Sequence, residues 1–164
     1  MQLSREQRKV LLGALNGSGL FISCGKETPN LMSTHWGALG TFWNRQVFVL
    51  PVREGKLSHE VIDKVKSFAV SVPTADMRNE IARCDHLSGY SVNKFEELHL
   101  HPRRARHIPA YVLGECGLIL ECKVIFAATP ECGFVDAALK ADMYAGKDFH
   151  TMYFGEIVDC YENR

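Results

Sequence analysis

Leu118-Ile119-Leu120-Glu121-Cys122-Lys123-Val124-Ile125-Phe126 is the stretch that decides the fold class. Leu118, Leu120, Cys122, Val124 and Phe126 fall on one side of an extended chain, and Ile119, Glu121, Lys123 and Ile125 on the other, which is the two-residue period of a strand. Working outward, Gln46 to Val52 carries the apolar run Val47-Phe48-Val49-Leu50 and predicts a strand buried on both faces and ending at Pro51. Phe68-Ala69-Val70-Ser71-Val72 repeats that pattern and stops at Pro73. Leu20 to Cys24 predicts a short strand between the turn Asn16-Gly17-Ser18-Gly19 and a second turn over 25–29. Residues 30–40 read as extended, and Met152 to Tyr161 supplies a last strand.

Helices fill the gaps. Leu57, Val61, Ile62, Val65 and Phe68 recur at helical spacing, with Ser58 placed to cap and Glu60 in the first turn. Thr74 to Ala82 and Ser91 to Leu98 also read as helices, each opening with a hydroxyl residue. Met1 to Leu15 predicts a surface helical turn entering a loop, because its apolar run is broken by Gly13 and is too short for a signal core. Strands joined by such short helices and turns favour a mainly β fold, an antiparallel barrel with peripheral helices, as a single domain over 1–164.

The chain has 164 residues, with 19 Lys and Arg against 19 Asp and Glu, so a partner recognised through many phosphates is disfavoured: no nucleic acid is expected. No apolar run is long enough to span a bilayer, so no membrane is expected either. Six cysteines form no CxxC pair, which points away from a zinc ribbon and toward reduced thiols in the cytoplasm. Gly17 and Gly19 begin a G-x-G-x-x-G pattern that fails at Ile22, and neither a G-x-x-x-x-G-K-[ST] loop nor a G-x-S-x-G elbow occurs. His99, His101 and His107 lie among Arg103, Arg104 and Arg106 and read as a solvated basic loop rather than a metal site.

One segment carries chemistry of its own. Val52 to Glu60 leads from a buried strand into a helix, and there Arg53 and Lys56 supply charge, Ser58 a hydroxyl, and the helix its first free N–H groups. That combination is suited to one monoester phosphate without a glycine-rich loop; the alternative reading is that Arg53 and Lys56 are solvated loop charges.

Pro29-Asn30-Leu31-Met32-Ser33-Thr34-His35-Trp36-Gly37 resembles the P-N-x-M-[ST]-x-x-W-G stretch of the flavin reductase-like family. Further resemblances follow in order: Pro51-Val52-Arg53 with Lys56, Ser58 and Glu60; Phe68 to Pro73; Cys84 with Ser88-Gly89 and Lys94-Phe95; Leu120 to Lys123; and His150 to Val158. The resemblance implies an FMN-binding split β-barrel, usually a homodimer with flavin near the subunit interface, closest to the flavoredoxin and ferric reductase branch. It implies an NAD(P)H-dependent flavin or ferric reductase. The alternative is a flavoredoxin-like carrier that passes electrons to a redox protein partner, and a third reading is a relative that has lost flavin and binds haem or metal through 99–107.

Carried over, the resemblance implies that Asn30, Met32, Ser33, Thr34 and Trp36 line the isoalloxazine ring, that Pro51 and Val52 flank it, and that Arg53, Lys56 and Ser58 take the phosphate. Ser71, Cys84, Ser88, Gly89 and Lys94 would form adjoining walls, and His150 would stand where a nicotinamide approaches. The chain departs from the family pattern at Asp85, which replaces Gly, at Tyr90-Ser91, which replaces Arg-Asp, and at Glu54, which replaces Pro.

Overall fold

The computed structural model describes residues 2–163. Helix α1 (Arg5–Leu15) leads into β1 (Leu20–Cys24), β2 (Asn30–Thr34), β3 (Ala38–Phe42) and β4 (Arg45–Arg53). Helix α2 (Leu57–Val65), β5 (Ser67–Val72), α3 (Arg78–His86), the single-turn α4 (Lys94–Glu97), β6 (Pro102–Arg104) and β7 (Tyr111–Leu113) follow. The chain ends with β8 (Leu118–Ala128), α5 (Ala137–Tyr144) and β9 (His150–Glu162).

Seven strands form one antiparallel sheet in the order β2-β1-β5-β8-β9-β4-β3, and β6 pairs with β7 alone. The fold is thus mainly β with peripheral helices, as expected, but the expected barrel is not closed: among the described residues β2 and β3 are the two ends of the sheet and do not pair with each other. Only residues 35–37 join them, so Thr34 and Ala38 lie no more than about 14 Å apart and the sheet must curl until its ends almost meet. Gly37 permits that approach, because a Cβ there would stand 2.6 Å from the Phe48 ring.

The central strands are apolar on both faces because each face has its own core. Phe68, Val70 and Val72 of β5 join Leu118, Leu120 and Cys122 of β8 in the interior of the curl. Ala69 and Ile119, on the opposite faces, pack with Phe21, Ile81, Phe95 and Leu113 under α3 and the β6–β7 hairpin. Phe126 leaves the face assigned to it and is 45% exposed. A register shift between Val124 and Phe126 inserts one residue and exchanges the faces beyond it.

Other boundaries also move. Pro51 lies within β4 instead of ending it, where β4 has run past the last β3 partner at Val49. Helix α1 is eleven residues long, fixed by a capping box between Ser4 and Gln7. Ser58 does not cap α2; Lys56 occupies the cap position and offers no side-chain bond. Helix α3 starts at Arg78 rather than Thr74, after Asp76 has accepted the Arg78 N–H at 3.2 Å, and α4 is capped by Asn93. Cys24, Cys84, Cys116, Cys122 and Cys160 are buried free thiols, with burial pushing Cys24 and Cys116 up to about 12. Among the described residues no helix is long and apolar enough to cross a membrane.

Candidate functional site

Where the ends of the sheet approach each other, two cavities open side by side. The larger, 540 Å³, is lined by Met32, Ser33, Thr34, His35 and Trp36 of β2 and the connection after it, Pro51 and Arg53 at the end of β4, Lys56 at the cap of α2, one face of α3, and His150. The smaller, 160 Å³, runs from Asn30 over the first turn of α2 to the 85–90 segment and Lys94. Met32, Lys56, Asp85 and His86 belong to both, so the two form one cleft.

The register of the sheet builds the larger cavity. Arg53 and His150 face each other across the β4–β9 ladder. The turn after Arg53 is tied to the strand leading into β9: Asp148 Oδ2 accepts the Gly55 N–H at 2.6 Å, Asp148 O accepts from Arg53 Nη1 at 3.1 Å, and the Glu54 N–H donates to Phe149 O at 3.0 Å. The Gly55 N–H also holds the Asp148 carboxyl below its ordinary range. Trp36 is 44% exposed and its ring lies 5.0 Å from the His150 imidazole, tilted by 43°. Thr34 Oγ1 accepts the Trp36 N–H at 2.9 Å, which sets the turn presenting the indole. Ser33 is spent on the scaffold, its hydroxyl donating to Ile81 O at 2.9 Å. His150 is buried, and burial, reinforced by Arg53, lowers its pKa.

The smaller cavity is built from backbone and short side chains. Helix α2 has no side-chain cap, so the N–H groups of its first turn carry partial positive charge toward the space that Gly55 to Ser58 line. Ser58 is buried and its hydroxyl accepts from Asn30 Nδ2 at 2.8 Å. Gly89 lies against the same amide, and a Cβ at that position would collide with Asn30 Oδ1. Lys94 is only 4% exposed; its ammonium donates to Cys84 O at 2.9 Å, and burial lowers its pKa. Lys56 Nζ lies 4.0 Å from Asp85 Oδ1, the carboxylate found where the family pattern has Gly. Tyr90, at the other departure, donates its hydroxyl to the Glu60 carboxylate and ties the 87–91 segment to α2.

The cleft thus gathers Asn30, Met32, Ser33, Thr34, Trp36, Pro51, Arg53, Lys56, Ser58, Ser88, Gly89, Lys94 and His150. It divides the trio assigned to phosphate: Arg53 lines the larger cavity, Ser58 the smaller, and Lys56 both. Three residues stay outside. Val52 is core, Ser71 is fully buried with its Oγ accepting the Leu113 N–H at 3.1 Å, and the Cys84 thiol is buried, which raises its pKa. Glu54 lines neither cavity. Sequence reading missed Ile81, Ala82 and His86, which with Asp85 sit at the i, i+4 spacing of one helix face, a signal hidden by ending α3 at Ala82.

A separate cavity of 620 Å³, lined by Phe95, His99, Leu100, His101 and Tyr111 among others, shares no residue with this cleft. The nearby basic loop exposes His99, His101, Arg103, Arg104, Arg106 and His107, as expected of a solvated loop, while its backbone is anchored from beneath. Buried Glu121 accepts the Arg106 and His107 N–H groups at 2.6 and 2.7 Å, and the Arg106 guanidinium lies 3.5 Å from the Tyr161 ring centre. Among the described residues no three His, Cys, Asp or Glu side chains gather as metal ligands.

The sheet is curled and split between β2 and β3, and the cleft at the split is lined by Arg53, Lys56 and Lys94 with Asp85 among them. The family model "Flavin reductase like domain" matches residues 21–164, and the chain belongs to that family. It is 29% identical over 104 residues to a protein of Archaeoglobus fulgidus, a match spanning 63% of this chain and 58%, less than two thirds, of that relative. Its fold resembles the flavoredoxin of Desulfovibrio vulgaris (TM-score 0.70, 19% identity, 89% of this chain and 69% of that one). It also resembles the flavoredoxin of Methanosarcina acetivorans (0.69, 22%, 87% and 67%) and an NADH:FAD oxidoreductase of Streptomyces globisporus (0.67, 16%, 99% and 87%).

Proposed function

We propose that the cleft binds FMN and that the protein is an NAD(P)H-dependent flavin or ferric reductase-type oxidoreductase, acting as a homodimer in the cytoplasm. The observation that carries this reading is the pairing of a ring-sized cavity bearing Trp36 and His150 with a small one bearing the uncapped N-terminus of α2. The larger volume falls within the roughly 300–1,000 Å³ usual for small-molecule sites, and the smaller suits one phosphate better than a pyrophosphate-linked nucleotide. Lys56, Lys94, Ser88 and the N–H groups of Leu57 and Ser58 would hold the phosphate; Met32, Thr34, Trp36 and Pro51 would hold the ring. Arg53, bonded to Asp148 O, would add positive charge to the cavity that holds the ring.

FMN, when bound, supplies the hydride-accepting and electron-passing chemistry. The chain's contribution is orientation and field: His150 stands on the floor of the larger cavity beside Trp36, where a nicotinamide would be positioned, and Asp85 limits the positive charge near Lys56. An exposed aromatic cluster of Phe42, Trp43 and Phe126 with Phe154, at centroid distances of 5.2 to 6.1 Å, supports a second copy as the occupant of that face.

Anaerobic stopped-flow mixing of the FMN-loaded protein with NADH, NADPH and dithionite tests the reading. Rapid bleaching by a nicotinamide is expected; bleaching by dithionite alone replaces the reductase with a carrier serving a redox protein partner. Heat-released FAD, or no retained FMN after reconstitution, overturns the cofactor. Sedimentation is expected to give a dimer that Trp43→Ser with Phe126→Ser turns into a monomer.

A further inference from the structure

Tyr144, the last residue of α5, reaches back to the cleft. Its hydroxyl lies 2.9 Å from His150 Nδ1, and both side chains are 8% exposed. The phenol cannot swing away: it stacks on Phe149 at 4.8 Å, meets Phe134 at 5.5 Å, and stands edge-on to the imidazole at 5.6 Å.

A phenolic O–H has one hydrogen to donate, and among the described residues Nδ1 is the acceptor within its reach. Leaving a buried hydroxyl undonated costs about 1–3 kcal/mol, so the bond runs from Tyr144 O–H to a bare Nδ1 lone pair. A neutral imidazole with Nδ1 bare carries its hydrogen on Nε2. The neutral form is favoured by burial and by Arg53 and Lys56, with Asp148 opposing. Nε2 has no hydrogen-bond partner among the described residues, and the imidazole lines the larger cavity beside Trp36.

We propose that Tyr144 is a positioning residue that fixes His150 as the Nε2–H tautomer, so that the cavity presents a hydrogen-bond donor for the carbonyl oxygen of a planar ring, such as a nicotinamide carboxamide. The tautomer follows from the hydrogen-bond network alone; the ring ligand rests on the reductase reading.

Long-range ¹H–¹⁵N correlation of flavin-free, ¹⁵N-histidine-labelled protein at pH 7.5 tests the first half, with the His150 signals assigned by their loss in His150→Gln. The wild type is expected to show the Nε2–H pattern, and Tyr144→Phe a several-fold larger Nδ1–H population. An Nδ1–H pattern in the wild type overturns the proposal without reference to any variant, and so does an unchanged pattern in a folded Tyr144→Phe protein. For the second half, Tyr144→Phe in the FMN-loaded protein is expected to raise KM for the nicotinamide by about twofold to tenfold, the worth of one neutral hydrogen bond, with dithionite reduction unaltered. An unchanged KM overturns the carbonyl contact. A wild type that neither nicotinamide bleaches removes the reductase reading and the ring ligand together, while the tautomer is still decided by the spectrum of the flavin-free protein.

Discussion

The two cavities of the cleft are made in opposite ways. The smaller one is held by backbone and short tethers, Asn30 to Ser58, Gly89 against Asn30, Tyr90 to Glu60 and buried Lys94 to Cys84 O. The larger one has a firm floor in Pro51, Arg53 and His150 but walls of exposed side chains, His35, Trp36 and His86. A site with one fixed end and one adaptable end holds a charged group rigidly while admitting a second planar molecule at the other end.

Removing the charge from the fixed end is the most direct way to break this comparison. Lys56→Ala combined with Lys94→Met should weaken FMN roughly a hundredfold or more, since each charge-assisted bond contributes on the order of 1.5–3 kcal/mol. Riboflavin, which lacks the phosphate, should lose less than about threefold in the same fluorescence-quenching titration, because neutral ring contacts survive. Equal losses for both ligands would mean that the smaller cavity is not where the phosphate is held.

A smaller effect is expected from filling the fixed end. Gly89→Val drives a side chain into Asn30, whose amide is already committed to Ser58. Overpacking of this kind costs about 1–3 kcal/mol, so the urea midpoint of the flavin-free protein should fall and FMN affinity with it. An unchanged midpoint would show that the 87–91 segment yields, and the fixed end would be no more rigid than the other.

How much of this was legible in the sequence depended on the kind of signal each part leaves. Strands β4, β5 and β9 were readable because continuous or alternating apolar residues follow from two-sided or one-sided burial. Phe126 was not, because a bulge leaves no trace in the pattern while exchanging the faces beyond it. The three-residue strands β6 and β7 and helix α5, whose only buried side chain is Tyr144, carry too little periodicity to be seen. In the cleft, Arg53, Lys56 and the start of α2 were legible from charge beside a helix start. Ser71 and Val52 were drawn in by a family pattern that also records core packing, where one accepts an N–H from β7 and the other fills the interior. Asp148 was missed because its partner Gly55 is brought to it by the β4–β9 ladder and its turn, and Tyr144 because the short connection that folds α5 back onto His150, six residues on, carries no motif.

At the adaptable end, Trp36→Ala should weaken FMN and riboflavin alike, by about twofold to tenfold, because an exposed indole contributes ring contact worth roughly 0.5–1.5 kcal/mol and no charge. Thermal stability should scarcely change, since the side chain is 44% exposed. A loss confined to FMN would place the phosphate near the indole and reverse the assignment of the two ends.

The smallest effect separates the firm floor from the walls by pH. The pKa of His150 is lowered in the folded protein, by burial first and by Arg53 next, so in the interval below about 6.5 the unfolded chain binds a proton that the folded chain refuses. Stability therefore decreases as pH falls through the unfolded value and levels off only below the folded one. Arg53 and Lys56 strengthen the effect, Asp148 opposes it, and Tyr144, which donates to Nδ1, adds to it by favouring the neutral ring. Urea unfolding of the flavin-free protein between pH 5.5 and 7.5 should show a stability gain with pH that is shallower in His150→Gln, whose side chain does not titrate. A slope unchanged in His150→Gln would mean that the floor of the larger cavity is as solvated as its walls, and the division between a fixed and an adaptable end would lose its physical basis.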